Sequence, residues 1–381
     1  MEKSRSADGP TQGVLGVLGG GQLGQMLAQA AQKLGYRVHV YTPETNSPAG
    51  QVAEAEIIAD WDDQAALQHF ARNVDVVTLE FENIPIQTVQ WVNAITPVYP
   101  QPSVLEIAQN RLKEKTFLNE CGISTVPFVA VRQTSDLEKV IEHLDVPVVL
   151  KTAASGYDGK GQIRAENLNA LQTAFLQLNK VDCVAEQFVD LEREISVIAA
   201  RSKDGTFAAY PPGENQHHNH ILDTTLAPAS LPAGIAERAI DITQQIMERL
   251  DMRGVLCVEF FCLQDERLLV NELAPRPHNS GHYTIEATPC SQFEQQARTV
   301  LGLPLGETGL YQPAAMINLL GDLWQSGEPD WSRLSGKVDL FLHLYGKTSA
   351  NPGRKMGHIT ALAQTPQAAL EKVIQAKKAL Q

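Results

Sequence analysis

The chain has 381 residues, is 43% hydrophobic and carries a formal net charge of −13. This length predicts about two to four domains with substantial hydrophobic cores, whereas the acidic balance argues against nucleic acid or an anionic membrane as a partner. Small anionic substrates remain compatible with it, because a local cluster of basic residues can oppose the overall sign.

The five cysteines show neither zinc-ligand spacing nor a disulfide framework, which favours a reducing cytoplasm. Residues 1–12 are polar, contain no apolar signal-peptide core and are predicted to be a disordered extension. The sequence has no apolar run long enough to cross a membrane.

A strand–loop–helix pattern follows the extension. The buried strand Val14–Leu18 meets a G-x-G-x-x-G loop at 19–24, and a helix is predicted over Gln25–Leu34. Such loops bind dinucleotides, so an NAD-dependent oxidoreductase is one alternative. The acidic residue expected on a ribose after the next strand, Tyr36–Tyr41, is not cleanly present. We therefore favour the broader interpretation that N–H groups at this helix start face some ligand.

A further strand of this domain, Val74–Leu79, ends in Glu80-Phe81-Glu82-Asn83. Carboxylates at the C-terminal end of a parallel strand lie where such sheets bind ligands. The short strand at Val98-Tyr99 is predicted to close the βαβ-type domain near residue 110.

A charged helix, Arg111–Glu120, leads into a segment rich in strands. The buried strand Pro147–Lys151 ends in a lysine, and an unpaired buried ammonium is costly, so Lys151 needs an anion. The glycine-rich segment Gly156–Gln162 follows at once, and its amides and the ammonium of Lys160 can cover phosphates. A plain hairpin tip is the alternative. The spacing excludes the P-loop pattern.

The next strand ends in Glu186-Gln187-Phe188-Val189, whose backbone groups can face an adenine edge. Glu194, on the following strand, is placed for ribose hydroxyls. A histidine cluster comes after it, and we interpret it as a polar loop with one histidine near the nucleotide, a metal site being the alternative: His217, His218 and His220.

Two apolar runs, Val255–Leu263 and Leu268–Leu273, flank the polar residues 264–267 and predict a β-hairpin. A symmetric turn places Glu259 opposite Glu272 on one face. Like charges across a ladder repel, and more strongly where water is scarce. A divalent cation, Mg²⁺ or Mn²⁺, would relieve the repulsion and bind nucleotide phosphates. The alternative is one carboxylate in solvent and the other in an ordinary ion pair.

Short strands at Ala314–Leu319 and Val338–Leu344 predict a small β-rich domain at the C-terminus. A loop rich in proline and glycine follows and carries Lys347, Arg354 and Lys355. Three cations on one loop of an acidic protein predict a phosphate pocket, the alternative being a solvated loop.

The motifs, in this order, resemble the ATP-grasp superfamily of carboxylate–amine ligases, and within it the family of 5-(carboxyamino)imidazole ribonucleotide synthases. The resemblance runs from Val14 to the end of the chain. Asn351 departs from the family pattern, which has a basic residue there. The motifs are GGGQLGQM at 19–26, TLEFENIP at 78–85, GYDGKGQ at 156–162, EQFV at 186–189, NELAPRPHNSGH at 271–282 and HLYGK…PGRKMGH at 343–358.

The resemblance implies an α/β and α+β multidomain chain with an ATP-grasp fold, and a homodimer is the family expectation. The expected units are an N-terminal βαβ pre-ATP-grasp domain at 13–112, an ATP-grasp domain at 113–305 with a lid subdomain at about 123–185, and a small C-terminal β-rich domain at 306–381.

It also implies ATP-dependent carboxylation of 5-aminoimidazole ribonucleotide with bicarbonate through carboxyphosphate. The products are 5-carboxyaminoimidazole ribonucleotide, ADP and phosphate, in de novo purine biosynthesis, with ATP as co-substrate. Formate-dependent glycinamide ribonucleotide transformylase, a sister ATP-grasp enzyme, is the main alternative. A non-catalytic nucleotide sensor is disfavoured, because it would be expected to lose a metal or phosphate ligand.

Roles of individual residues follow from the resemblance and the hairpin together. Glu259 and Glu272 are expected to bind the metal, and Arg276, His278 and Asp158 to act in catalysis. The expected ATP-binding residues are Arg111, Lys151, Gly156, Tyr157, Asp158, Gly159, Lys160, Gly161, Gln162, Glu186, Gln187, Phe188, Val189, Glu194, His217, Asn271 and Glu272. The expected ribonucleotide-binding residues are Gln22, Leu23, Glu80, Tyr157, Lys347, Arg354 and Lys355.

Overall fold

The computed structural model describes residues 13–154 and 161–381. Three β-sheets, of five, four and nine strands, organise these residues. No helix in this part of the chain is both long and apolar enough to cross a membrane. The predicted extension at 1–12 and the five glycine-rich loop residues 156–160 lie outside the described residues.

The first sheet is parallel throughout, with strand order β3-β2-β1-β4-β5. Because β1 lies between β2 and β4, successive connections leave it in opposite directions, and such a switch point forms a crevice at the C-terminal ends of the strands. The elements are β1 (Val14–Leu18), α1 (Gln22–Lys33), β2 (Arg37–Thr42), β3 (Ala55–Ile58), α2 (Gln64–Arg72), β4 (Val76–Leu79), α3 (Ile86–Asn93) and β5 (Val98–Tyr99).

The glycine-rich loop before α1 is shaped by Glu80, which follows β4. Its carboxylate accepts hydrogen bonds from the backbone N–H of Gly21, at 2.8 Å, and of Gly24, at 3.3 Å. A Cβ atom on Gly21 would lie 2.7 Å from a Glu80 oxygen. The anion at this helix start is thus a side chain of the protein itself. The prediction that N–H groups at this helix start face a ligand is therefore wrong for Gly21 and Gly24. The dinucleotide alternative is wrong for these two groups as well.

Two short helices connect this sheet to an antiparallel sheet with strand order β6-β9-β7-β8. The second helix begins where the side chain of Asn110 accepts hydrogen bonds from the N–H groups of Leu112 and Lys113. The elements are α4 (Pro102–Ala108), α5 (Arg111–Glu120), β6 (Phe128–Val131), α6 (Asp136–His143), β7 (Val148–Thr152), β8 (Gln162–Ala165), α7 (Leu168–Gln177) and β9 (Cys183–Gln187).

The nine-stranded sheet has the order β15-β14-β10-β12-β13-β16-β18-β17, with β11 paired to β10. The predicted C-terminal strands therefore continue the central sheet, and a final helix, α11, packs against them. The elements are β10 (Leu191–Arg201), β11 (Phe207–Ala209), β12 (Gly213–His218), β13 (Ile221–Ala227), α8 (Ile235–Arg249), β14 (Gly254–Leu263), β15 (Leu268–Ala274), α9 (Thr284–Ala287), α10 (Gln292–Leu301), β16 (Ala314–Leu320), β17 (Leu340–Leu344), β18 (Lys355–Leu362) and α11 (Pro366–Leu380).

The histidine cluster is not the predicted polar loop. His217 and His218 end strand β12, and Asn219 and His220 form the tight turn to β13, both with positive φ. The outer end of this hairpin is exposed, so its polar side chains do not interrupt the strand. Because this end lacks an alternating apolar face, its sequence resembles a loop.

We expect Gly21→Ala to lower the melting temperature, because the new methyl group would overlap the Glu80 carboxylate that organises the loop. Such overpacking costs about 1–3 kcal/mol. Gly309→Ala is the matched control, since a Cβ there meets nothing within 4 Å. Thermal unfolding followed by circular dichroism compares the two variants. Equal melting temperatures would contradict the structural role of the contact.

Candidate functional site

The hairpin β14–β15 places Glu259 directly opposite Glu272, which confirms the predicted register at the carboxylates. The turn itself differs from the prediction. The N–H of Leu263 donates to the carbonyl of Arg267, so the loop has three residues, and the register shifts by one between Glu259 and Phe260. A β-bulge at this shift compensates for the shorter loop and returns the two carboxylates to one row.

The two carboxylates differ in their surroundings. The side chain of Glu259 is 19% exposed and that of Glu272 is 44% exposed. Burial, reinforced by the facing Glu272, raises the pKa of Glu259 to about 7. Nη2 of Arg111 lies 3.7 Å from Oε2 of Glu272. Two facing carboxylates that repel each other fit Mg²⁺, which takes oxygen ligands and completes its shell with water and phosphates.

Histidine ligation finds no support in the described residues, where no group of three or more His, Cys, Asp or Glu side chains could hold a metal ion. Nδ1 of His217 lies 2.9 Å from a Glu194 oxygen, whereas His220 contacts the side-chain amide of Gln162. Burial opposes protonation of His217, but the hydrogen bond to Glu194 outweighs it and raises the pKa. This pairing holds the Glu194 carboxylate and the His217 ring together at the wall of one cavity.

Lys151 has its anion within the protein. Its Nζ donates to Glu186 at 2.7 Å, and Nζ of the fully buried Lys115 lies 3.1 Å from the other oxygen of Glu186. Burial alone would raise the pKa of Glu186, but the two lysines outweigh it and hold the pKa at about 2. The side chain of Glu186 is therefore committed to these lysines. The backbone N–H groups of the next two residues, Gln187 and Phe188, donate to the carbonyls of Pro127 and Pro147, at 3.0 Å each.

Helix α5 contributes two buried side chains that contact the predicted site and were not predicted, Glu114 and Lys115. Oε2 of Glu114 accepts a hydrogen bond from the N–H of Leu273, at 3.0 Å, which fixes β15 next to Glu272. Burial, followed by the charge of Glu272, raises the pKa of Glu114 to about 8. Glu114 and Lys115 follow Arg111 by three and four residues, so all three side chains lie on one face of the helix. This helical spacing from Arg111 could have identified Glu114 and Lys115 in the sequence.

Arg276 is anchored by Glu82, the second acidic residue after β4. Its Nε and Nη2 donate to the two carboxylate oxygens of Glu82, with 2.9 Å for the Nη2 bond. Burial would favour a neutral guanidine, but Glu82 outweighs it and raises the pKa of Arg276. This bidentate pair joins the first sheet to the end of the hairpin, and it holds a permanent positive charge beside Glu259 and Glu272.

Burial and the nearby Arg276 lower the pKa of His278 well below its usual range, which favours the neutral ring. Its Nδ1 accepts a hydrogen bond from the N–H of Ser280, at 3.3 Å. The proton of the neutral ring is therefore on Nε2, which lies 3.5 Å from Oε1 of Glu259. His278 thus presents a donor to the site without adding a charge.

One cavity of about 270 Å³ collects most of the predicted ATP-binding and catalytic residues that the structure describes. The predicted residues that line it are Arg111, Lys151, Gln162, Glu194, His217, Glu259, Asn271, Glu272, Arg276, His278 and Lys355. Five further lining residues had been given no individual site role: Glu82, His220, Leu222, Phe261 and Asn279. A larger cavity, of about 760 Å³, lies near α11 and is lined by none of the predicted site residues. Chemistry, and not size, therefore identifies the candidate site.

The predicted phosphate loop lies beside the first sheet. Gln51 donates from Nε2 to the carbonyl of Gly346, at 3.1 Å. Nζ of Lys347 donates to the carbonyl of Lys355, at 2.8 Å, and Nη1 of Arg354 donates to the carbonyl of Ser349, at 3.0 Å. Burial, followed by the charge of Arg354, lowers the pKa of Lys347 to about 8. The loop is thus folded so that its cations stay close together.

Several other predicted site residues do not line the central cavity. Gln22 begins α1 and is partly exposed, whereas the side chain of Leu23 is buried in the core. Phe188 is exposed, and its ring faces the guanidinium of Arg164. Gly161 and Gln162 are described, but the predicted site residues Gly156, Tyr157, Asp158, Gly159 and Lys160 lie outside the described residues.

Three family models match successive parts of the chain. They describe a ribonucleotide synthetase preATP-grasp domain at residues 13–109, an ATP-grasp domain at 116–293 and a phosphoribosylaminoimidazole carboxylase C-terminal domain at 314–372. The chain is 42% identical to N5-carboxyaminoimidazole ribonucleotide synthase of Bacillus subtilis, with 92% of each chain covered. It is 43% identical to the enzyme of that name from Brucella melitensis, with 95% of this chain and 99% of the relative covered.

Solved structures agree with these matches. The ADP complex of an N5-carboxyaminoimidazole ribonucleotide synthetase has a TM-score of 0.91 and 39% identity, with 97% of each chain covered. The synthase of Aspergillus clavatus, in complex with ADP and 5-aminoimidazole ribonucleotide, has a TM-score of 0.88 and 31% identity, with 97% of this chain and 98% of that chain covered.

We expect Glu272→Gln to raise the melting temperature of the metal-free protein at pH about 8, because it removes the like charge opposite Glu259. The pKa of Glu259 in the folded protein, about 7, lies above its ordinary value. The pair therefore destabilises the fold progressively as the pH rises from about 5 to about 7. At pH about 5 the rise in melting temperature caused by Glu272→Gln should be smaller.

Melting curves in EDTA, and again with Mg²⁺ and ADP, measure both effects. Mg²⁺ with ADP should stabilise the unmodified protein much more than the variant. Glu237→Gln, at an exposed position of α8, controls for the loss of one carboxylate elsewhere. A metal-free Glu272→Gln variant that melts below the unmodified protein at pH about 8 would argue against the repulsive pair.

Proposed function

The chain belongs to the N5-carboxyaminoimidazole ribonucleotide synthase family, and from this membership we propose that it carboxylates 5-aminoimidazole ribonucleotide with bicarbonate at the expense of ATP. The products are N5-carboxyaminoimidazole ribonucleotide, ADP and phosphate, by way of carboxyphosphate, in purine biosynthesis. The observation that carries the proposal is the single cavity in which Glu259 and Glu272 face each other beside Arg276 and His278.

ATP would bind between the four-stranded sheet and the hairpin β14–β15. The adenine would contact 186–189 through backbone groups other than the N–H of Gln187 and Phe188, which donate to the carbonyls of Pro127 and Pro147. Glu194 and its partner His217 line the cavity and would face the ribose. Glu259 and Glu272 would hold Mg²⁺ or Mn²⁺, which would neutralise phosphate charge when bound. Arg111 and Lys151, which line the same cavity, are placed to bind the phosphates.

Bicarbonate would bind near Arg276 and His278. The bidentate contact with Glu82 fixes the guanidinium of Arg276 in advance, so no reorganisation is needed when the anion arrives. One bicarbonate oxygen then attacks the γ-phosphorus of ATP, with ADP as the leaving group. His278 donates from Nε2 to the oxygen that gains charge. Exclusion of water from the site would protect carboxyphosphate, because water hydrolyses acyl phosphates.

The 5′-phosphate of the ribonucleotide would bind the loop that carries Lys347, Arg354 and Lys355. Lys355 lines the central cavity, and Lys347 is hydrogen-bonded to its carbonyl, so the loop joins the two parts of the site. Glu80 and Gln22, across from the loop on the first sheet, would face the sugar. Tyr157 and Asp158 remain our candidates for contacting the imidazole.

A homodimer in the cytoplasm completes the proposal. All five cysteines are free, which is consistent with a reducing compartment. Bicarbonate and the homodimer come from the family expectation, and light scattering of the purified protein tests the dimer.

The decisive experiment measures ADP release in buffer depleted of carbon dioxide. With 5-aminoimidazole ribonucleotide, bicarbonate should stimulate release and formate should not. Glycinamide ribonucleotide with formate tests the sister transformylase activity in the same assay. Stimulation by that pair alone would overturn the proposed function.

We expect Arg354→Ala to raise the KM for 5-aminoimidazole ribonucleotide roughly ten- to hundredfold, because it removes a charge-assisted contact to the phosphate. The KM for ATP should change less than about twofold, since ATP binds at the hairpin. Arg267→Ala, on the exposed hairpin turn, is the matched control. A rise in the KM for ATP alone would assign this loop to the nucleotide.

The lowered pKa of Lys347 gives a pH prediction. Because this pKa is about 8, the ammonium loses its proton as the pH rises through that value, and phosphate binding weakens. With ATP and bicarbonate saturating, kcat/KM for the ribonucleotide should therefore fall between pH about 7 and about 9. Lys347→Arg keeps its charge and should shift the fall to higher pH. An unchanged profile in the variant would mean that Lys347 does not cause it.

A further inference from the structure

Asn279 is a buried amide without a hydrogen-bond partner among the described residues. The residue is only 8% exposed, and neither Oδ1 nor Nδ2 is hydrogen-bonded there. It lines the central cavity together with Glu259, Arg276 and His278. A buried donor and acceptor left unpaired are costly, so the position favours a ligand that pairs with both.

The backbone under this amide is firmly held. Asn279 begins a 3₁₀ turn that ends at Gly281. On either side of it, the N–H of His278 donates to Gln292, whose Nε2 returns a hydrogen bond to the carbonyl of His278. The N–H of His282 donates to the carbonyl of Asn279, at 3.2 Å. The backbone that carries Asn279 is thus held by hydrogen bonds, whereas its side-chain carboxamide has no hydrogen-bond partner among the described residues.

The amide also supplies what its neighbours lack. Arg276 is a donor only, and His278 presents the protonated Nε2 to the site. Glu259 accepts hydrogen bonds, but its charge repels an anionic substrate once it is ionised. Of these four side chains, Asn279 therefore offers the uncharged acceptor, with a donor next to it.

We propose that the carboxamide of Asn279 binds bicarbonate and selects it over carboxylates that lack a hydroxyl group. Oδ1 accepts a hydrogen bond from the bicarbonate O–H, and Nδ2 donates to a neighbouring oxygen of the same ion. This paired contact matches the amide edge to a carboxylic-acid edge. The inference rests on the proposed function and adds the residue that recognises the carboxyl donor.

The selectivity has a physical cause. Formate has two acceptor oxygens and a C–H group in place of the hydroxyl, so Oδ1 would stay buried without a donor. Sites built to hydrogen-bond a substrate hydroxyl reject analogues that lack it, because the buried polar group is left unpaired. Arg276 alone would attract both ions equally, since they carry the same charge.

The test compares Asn279→Leu, which is similar in size but has no polar atoms, with Asn279→Asp, which keeps the shape and loses the donor. ADP release is measured against bicarbonate, formate, ATP and ribonucleotide concentrations. We expect both variants to raise the KM for bicarbonate roughly ten- to hundredfold, with the KM for ATP and for ribonucleotide changed less than about threefold. At equal concentrations of the two ions, the excess of bicarbonate-stimulated over formate-stimulated ADP release should fall in Asn279→Leu.

Asn318→Leu is the matched control, because Asn318 is also a buried amide with an unpaired Oδ1 but does not line the cavity. Melting temperatures show that each variant is folded, and Asn279→Asp preserves the test if the leucine variant does not fold. An unchanged bicarbonate KM and ion selectivity in both Asn279 variants would overturn the inference and leave the proposed function standing. An unmodified protein that responds to formate and not to bicarbonate would overturn both.

Discussion

The repulsion between Glu259 and Glu272 is the constraint on which the rest of the site depends. Backbone pairing in the hairpin forces the two carboxylates together, and burial raises the pKa of Glu259 to about 7. Arg111 approaches one of them, and Glu114 fixes the strand that carries the other through the N–H of Leu273. The surrounding residues thus hold the two carboxylates in place without neutralising their repulsion. Such a pair is suited to bind a cation.

The sequence pattern of single strands was enough to predict the parts of this site that lie within the hairpin β14–β15. The facing glutamates followed from the alternation of side chains along two strands, and the β-bulge corrected for a turn one residue shorter than expected. The position of Glu82 after a parallel strand was predicted, but its pairing with Arg276 could not be found in this way, because the two residues are 194 apart in sequence. The fold at the outer end of β12 was also mispredicted, since an exposed strand end has no apolar alternation to reveal it.

For the glycine-rich loop, the sequence motif predicted the backbone geometry correctly but not the group that binds there. Its spacing fits close approach of an anion to the start of α1, and an anion is there. That anion is Glu80, held by the N–H groups of Gly21 and Gly24. A sequence motif specifies the geometry of a binding site, but only the folded chain specifies whether a ligand or a side chain occupies it.

The continuation of the central sheet into β16, β17 and β18 limits how this protein can be divided. Strand β13 pairs with β16 from Thr224–Ile317 to Ala227–Ala314, so a chain cut after residue 305 would expose a long backbone edge in the middle of the sheet. Exposed edges of this kind pair with other chains and aggregate. The C-terminal segment is therefore not a portable module, and chimaeras between relatives need their junction outside this sheet or a donor whose first strand matches the β13 edge.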